Sequence, residues 1–384
     1  MLTGVLIIFI IYSLFLVRKK HLYSPWSITL IVWTVLIALF LFLNHGLYPT
    51  TGYFETSVLL WVTSFCFSSL ISFLIFKNNS KPKYSNYNQT AFRIMYWIAI
   101  ICIPLSAYLT YKYVMANALS DNIFFNLRYN ATSRTNDDSI LKYTSYIALI
   151  PLLAECNTKN INKKKLILLY VLNILLALTS MAKTALFTII ISSIFILIYN
   201  KKIKSITFIY VFAFFIFLTI LFQGLRSFSG DIDSIEIEKT LSTYVLSPIS
   251  AFDLAARSTD FTLDGSNTFR FFYKIAELIG FNVEAKDTIQ EFVKVPTPTN
   301  VYTIFYQYYC DFGNIGIIIL GLINGFIYGS IYALINSKPY IKLFYSYLVV
   351  TLFLQFFNEL FWVVFSSVIQ IGLLSYLIYY KVKN

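Results

Sequence analysis

What most constrains this chain is a succession of long apolar runs, each close to the roughly 20 residues, or about 17 at the short limit, that a helix needs to cross the hydrocarbon core. About eleven spans are expected on that length criterion, at 2–17, 25–43, 56–76, 94–114, 140–155, 166–182, 184–199, 206–223, 312–335, 343–358 and 361–380. The run 166–199 is broken only by Lys183, so it allows either two short spans or one long tilted one. The last two spans are joined by a very short connection at Asn358–Leu360. Tyr and Trp crowd the span ends, as interfacial belts require. The expected fold is an all-α polytopic membrane protein, with residues 1–384 forming a single integral membrane domain. A charged fraction of 12%, against about 25% in soluble domains, together with 37 Phe and 30 Tyr, excludes both an ordinary soluble protein and a disordered one.

Charge sets the expected orientation. No basic segment precedes the first apolar run, and Arg18, Lys19 and Lys20 follow it at once, so it reads as a span rather than a secretory signal. The positive-inside rule then puts residue 1 outside and residues 18–24 inside. Basic residues at 77–93, 159–165, 201–204, 338–342 and 381–383 fall on the same inner side, which leaves the C-terminus inside. Every acidic residue except Glu155 falls on the other side. The net charge of +12 therefore reports orientation among membrane lipids, not a nucleic-acid partner. Cys66, Cys102, Cys156 and Cys310 form no CxxC pair, and His21 and His45 are the only histidines, so neither a disulfide framework nor a metal site is expected.

Two outer loops are large, at 115–139 and 224–311. Loops longer than about 15 residues are usually functional or disordered, and the second is too rich in aromatics to be disordered. Within it, FRFFYKIAELIGF (269–281) reads as an interfacial amphipathic helix that turns Phe271, Phe272, Ile275, Leu278 and Ile279 toward the membrane. Its neighbour NVYTIFYQYYC (300–310) carries Val301, Ile304, Phe305 and Tyr308 at helical spacing. The inner loops are short and hold no nucleotide-binding motif, so chemistry is expected on the outer face.

Cations on that face run against the positive-inside rule and so stand out. Arg128 and Arg134 lie in the first large loop, Arg226, Arg257 and Arg270 in the second, and Lys183 at the outer end of a span. Arg forms bidentate pairs with phosphate oxygens, so this set suits a lipid diphosphate at the interface. The plainer alternative is that each Arg pairs with an outer acid such as Asp137 or Asp231; Lys183 is either functional at depth or snorkels outward. In VPTPTNVYTIFYQYYCDFGNIG (295–316), Asn300 is placed to cap a tyrosine-rich helix, and Asp311 stands at the mouth of a span. Asp311 is a candidate general base toward a sugar hydroxyl, with helix capping as the plainer role. Glu359 is the second carboxylate candidate. Tyr302, Tyr306, Tyr308 and Tyr309 offer faces and hydroxyls for sugar rings, or form an aromatic belt. The run DIDSIEIE (231–238) reads as a solvated helix start. No histidine lies in either large loop, so a Ser/His/Asp or Cys/His nucleophilic site cannot be assembled.

TNVYTIFYQYYCDFGNIG resembles the hallmark segment of bacterial Wzy-type O-antigen and capsule polymerases, in which an aromatic-rich helix runs into an Asp-Phe-Gly-x-x-Gly turn. Asp311, Phe312, Gly313 and Gly316 match that turn. YVLSPISAFD (244–253) is similar to the family segment before it, and SMAKTAL to a turn that more often carries Arg, with Lys183 in its place. The resemblance implies a multi-span glycosyltransferase of GT-C-like architecture that polymerises undecaprenyl-diphosphate-linked oligosaccharide repeat units at the outer face of the bacterial cytoplasmic (inner) membrane. For that reaction Asp311 is the candidate base with Glu359 second, Arg128, Arg134, Lys183, Arg226, Arg257 and Arg270 are the candidates around the leaving diphosphate, and Asn300, Tyr302, Tyr306, Tyr308 and Tyr309 are those for sugar. No cofactor or metal is implied, because the diphosphate linkage supplies the energy. A chain-length regulator protein is a further partner it leaves open. The competing readings are an O-antigen ligase, whose outer-loop histidine this chain lacks, and a lipid-linked oligosaccharide flippase, which would be expected to have shorter loops.

Overall fold

A computed structural model describes residues 1–77, 86–132, 144–204, 206, 207, 210, 242–287, 290–296 and 298–381. Among these residues the chain is mostly helical. The helices are α1 (Leu2–Leu16), α2 (Pro25–Phe42), α3 (Tyr53–Phe76), α4 (Gln89–Ala116), α5 (Ile123–Thr132), α6 (Thr144–Asn157), α7 (Lys163–Thr179), α8 (Lys183–Tyr199), α9 (Ser247–Ala256), α10 (Arg270–Leu278), α11 (Tyr306–Ala333), α12 (Pro339–Phe353) and α13 (Phe365–Leu377). A two-residue pair, β1 (Val293–Lys294) with β2 (Pro298–Thr299), runs antiparallel. Every run read as a span contains a helix, except 206–223, which lies largely outside the described residues. Four helices, α2, α3, α4 and α11, are long and apolar enough to cross a membrane; α1, α8, α12 and α13 are apolar but shorter.

Helix boundaries follow local chemistry. Ser24 caps α2 by accepting from Ser27 N–H, with Pro25 in the first turn. Asn88 caps α4 and Asn162 caps α7 in the same way. The run 166–199 resolves into two helices, because Met181 turns into the left-handed region (φ 47°) between α7 and α8.

The contacts divide into two compact units. The first comprises Met1–Asn79, Glu236–Leu334 and Thr351–Val368; the second comprises Ser80–Ile235, Ile335–Val350 and Ile369–Asn384. The spine of the first is α3 against α11. These helices are parallel, since Gly321, Gly325 and Gly329 of α11 meet Ser64, Ser68 and Ser72 of α3 in step. Small residues at that spacing let two backbones approach closely in lipid, and Ser68 Oγ donates across to Leu322 O at 2.6 Å. Where these helices end, Phe73, Tyr332, Trp26 and His21 form an aromatic cluster, with Trp26 and Tyr332 edge to face at 5.6 Å.

In the second unit α4, α6 and α7 close on a small core of Ala99, Ile103, Ala148 and Leu172. The other side of α4 carries exposed Ile94, Trp97, Ile101, Leu105 and Tyr108, a surface suited to lipid. A polar knot closes one end of this unit. Tyr87 donates to Glu155, Asn157 to Tyr379, Asn200 to Asn157, and Lys342 to Asn200.

Candidate functional site

Most of the sequence-derived candidates that the structure describes fall in the first unit, at the end where α3 and α11 begin. The geometry there starts from how α3 is capped. Its N-cap is Gly52 (φ 111°), which has no side chain to offer the free N–H groups of the first turn. Asp253, on α9, supplies what is missing. Its Oδ1 accepts from Phe54 N–H at 3.1 Å, and its Oδ2 from Thr51 N–H and Thr51 hydroxyl at 2.9 and 2.7 Å. Arg257, one helical turn on from Asp253, donates from Nη2 to the same Oδ2 at 2.9 Å. Burial alone would raise the Asp253 carboxyl, but the donors from Phe54, Thr51 and Arg257 outweigh it and hold it below the usual carboxylate range. Arg257 remains 39% exposed while Asp253 is buried. The result is a guanidinium fixed on one edge and open on the others.

Asp311 is fully buried. Its Oδ1 accepts from Thr262 hydroxyl and Asn267 Nδ2, both at 2.8 Å, and from Asn267 N–H at 3.1 Å; its Oδ2 accepts from Thr268 N–H at 2.8 Å. The carboxylate thus gathers the 262–268 loop against α11. The tyrosine-rich helix and the ninth span merge into one helix with a break at Gly313 (φ 60°, ψ −150°), a conformation essentially confined to glycine. Gly316 is required for a different reason: a Cβ there would lie 2.5 Å from Tyr308 O. Asp311 does not cap the span, because its oxygens are turned to the loop. Nor does Asn300 cap a helix. Residues 298 and 299 pair as β2, Val301 N–H bonds to Thr299, and α11 starts only at Tyr306, with no side-chain cap.

Glu359 is also fully buried, in the connection between α12 and α13. Tyr308 hydroxyl and Phe361 N–H donate to its Oε1 at 3.0 and 2.9 Å, and Val363 N–H to Oε2 at 2.7 Å. Burial pushes this carboxyl up, against the pull of those donors. Tyr308 hydroxyl in turn accepts from Asn324 Nδ2 at 2.9 Å, whose Oδ1 accepts from Trp362 Nε1 at 2.8 Å. Beside this chain Gln355 Oε1 receives Trp33 and Trp61 at 2.9 and 3.0 Å. Tyr302 and Tyr306 stack at 4.1 Å, and the Tyr302 hydroxyl donates to Glu291 O. Tyr302, Tyr308 and Tyr309 are buried, so their rings face protein.

The remaining cations are spread more widely. Arg270 opens α10 and donates to Lys286 O at 2.5 Å. Helix α10 stands at the stretch read as amphipathic, with Phe272, Ile275 and Leu278 exposed, while Phe271 and Phe272 pack on Phe365. Arg128, on α5, and Lys183, at the start of α8, are partly buried in the second unit. Arg134, Arg226, Asp137, Asp231 and the acidic run 231–238 lie outside the described residues. The sequence reading singled out no role for Asp253. The spacing of Asp253 to Arg257, an acid four residues before a base on one helix, was the available signal.

Comparison with known proteins adds a single kind of support. No protein-family model matches the chain, and no solved structure matches it. Over 217 residues the chain is 31% identical to a protein of Escherichia coli (strain K12) named "Putative O-antigen polymerase". That stretch is 56% of this chain and 53% of the relative, so the chain spans about half the length of the protein it matches. This is a multi-pass helical membrane chain that is similar to a protein named for O-antigen polymerisation.

Proposed function

We propose that this chain is a membrane glycosyltransferase that joins undecaprenyl-diphosphate-linked oligosaccharide repeat units into O-antigen or capsule at the outer face of the cytoplasmic membrane. The observation that carries the reading is Arg257: an exposed guanidinium, held on buried Asp253, at the head of two helices fit to cross a membrane. A cation there meets a lipid diphosphate at the depth where its headgroup lies, and stabilises the charge that develops as the diphosphate leaves. The similarity to the Escherichia coli protein supports the same reaction class. Arg270, Arg128, Arg134, Lys183 and Arg226 are the further cations of this proposal. The hydrogen bonds around Asp311 and Glu359 favour positioning roles, Asp311 for the 262–268 loop and Glu359 for Tyr308. The bilayer supplies a route for two lipid tails.

The test is a glycolipid gel of the source strain with the gene deleted and then restored. Collapse of the ladder to core plus one repeat unit, reversed on restoration, is the expected result. Loss of all attached glycan, with long lipid-linked chains accumulating, would overturn the reading in favour of a ligase. Single units trapped on the inner leaflet would overturn it in favour of a flippase.

A further inference from the structure

Tyr302, Tyr308 and Tyr309 are buried, but Phe261, on the loop between α9 and α10, is 48% exposed. Although open, it is firmly held. Tyr309 meets it edge to face, with centroids 5.5 Å apart. Its ring end rests over Gly313, where an added Cβ would lie 3.1–3.4 Å from three ring carbons. The next two residues are pinned by their backbone: Thr262 N–H donates to Cys310 O at 3.1 Å and Leu263 N–H to Asp311 O at 3.0 Å. The Asp311 carboxylate fixes Thr262, Asn267 and Thr268 beyond them. Leu263 turns into the left-handed region (φ 58°), where leucine is rarely found. The break at Gly313 and the buried Asp311 thus act together to present one ring. An aromatic that only covers a lipid-facing surface needs no such framework.

What lies beside the ring decides its partner. Tyr309, which packs on Phe261, donates its hydroxyl to Ala256 O at 3.4 Å, and Ala256 immediately precedes Arg257. Arg257 and Phe261 are four residues apart, which the chain can span by at most about 14 Å. Apart from Leu263 the loop tip is polar, with Ser258, Asp260, Thr262 and Asp264 all exposed. Two carboxylates around the ring are costly against hydrocarbon, but they accept hydrogen bonds from hydroxyl groups. A sugar ring offers both surfaces at once: C–H groups that suit the negative face of an aromatic, and hydroxyls at its rim. We infer that Phe261 is the sugar platform of this site, stacking on the sugar joined to the diphosphate that Arg257 holds, with Asp260 and Asp264 toward its hydroxyls. The inference rests on the reaction proposed above and assigns the sugar subsite within it.

Lipid-linked single repeat units, extracted from the deletion strain, are the probe, with purified protein in bilayer vesicles. Phe261→Leu keeps an apolar side chain for lipid and for Gly313 but removes the ring face. Its KM should rise about 2- to 10-fold, what a ring contact contributes beyond the area it covers, with kcat unchanged, as for a group that only binds. Phe261→Tyr keeps the ring and should stay near the parent. If Phe261→Leu has the parent's KM, the ring serves only lipid or packing, and the assignment is overturned while the reaction stands. If Phe261→Tyr loses as much as Phe261→Leu, the fit against Gly313 is what matters, and the assignment is again overturned. If the parent itself forms no polymer from these units, the reaction reading falls first and takes the subsite with it. Should Phe261→Leu fail to accumulate, Phe261→Met takes its place: a raised KM supports the assignment, and the parent's KM overturns it.

Discussion

Asp253 shows how one side chain can tie a cap, a loop and a cation together, and its titration makes that testable. Its folded form binds a proton less tightly than the unfolded chain does. Its contribution to stability is therefore whole above the ordinary carboxylate value and is lost as pH falls through the lowered folded value. Glu359 behaves in the opposite sense: its pKa is raised in the fold, so its contribution is whole below the ordinary value and is lost as pH rises through the raised one. Thermal unfolding in detergent should separate them. Asp253→Asn flattens the acid side of the stability profile, and Glu359→Gln flattens the side where pH rises past the carboxylate range. At Asp311 the corresponding change, Asp311→Asn, turns an amide donor toward N–H groups that need an acceptor. The expected cost is about 1–3 kcal/mol, with faster proteolysis or hydrogen exchange confined to 262–268. A carboxylate that served only as a base would leave that loop unchanged. Arg257→Lys keeps the charge but loses the fork that can hold Asp253 and a phosphate together. The in-vesicle rate should fall for Arg257→Lys and further for Arg257→Ala, with protein levels unchanged.

Between elements, the contact most open to test is the α3–α11 spine. At Gly325 a Cβ would press on Phe65 O, and at Gly329 on Ser69 O, both backbone atoms that cannot swing aside. Gly325→Ala should therefore cost about 1–3 kcal/mol, as overpacking does. Gly4→Ala, where nothing lies within 4 Å of an added Cβ, should leave the melting temperature unchanged or slightly raised. A Gly325→Ala protein as stable as the parent would mean the helices stand further apart than drawn. This spine was written in GLINGFIYG and in the serines of α3, a small-residue pattern at four-residue spacing. Span length alone does not show it, because by that measure every apolar helix is equivalent. The helices themselves were legible, since apolar length and polar breaks are local properties. Their joints were less so. Asn300 was read as a cap because capping residues also favour turns, and only the β1–β2 pairing shows which role wins. The split at Met181 depends on a left-handed residue that sequence preference would have given to glycine or asparagine.

For the whole molecule, the separation between legible and hidden parts follows the range of the interactions. Exposed cations in loops announce themselves against the positive-inside rule, and Arg257 was found that way. Its anchor was not, because Asp253 lies 202 residues from Thr51 and meets it only in the folded chain. The same charge rule makes the last prediction. If the basic segments orient the chain, the end of the first unit that carries Arg257 faces outward, as the proposed reaction requires. Of the native thiols, Cys66, Cys156 and Cys310 are buried and Cys102 is partly exposed. After their replacement, exposed Ser258→Cys should react with a membrane-impermeant maleimide added to spheroplasts, and exposed Lys19→Cys and Lys159→Cys only after permeabilisation. The reverse pattern would place Arg257 on the nucleotide-sugar side of the membrane. The diphosphate then could not be that of an outer-leaflet donor, and the proposed reaction would have to be abandoned.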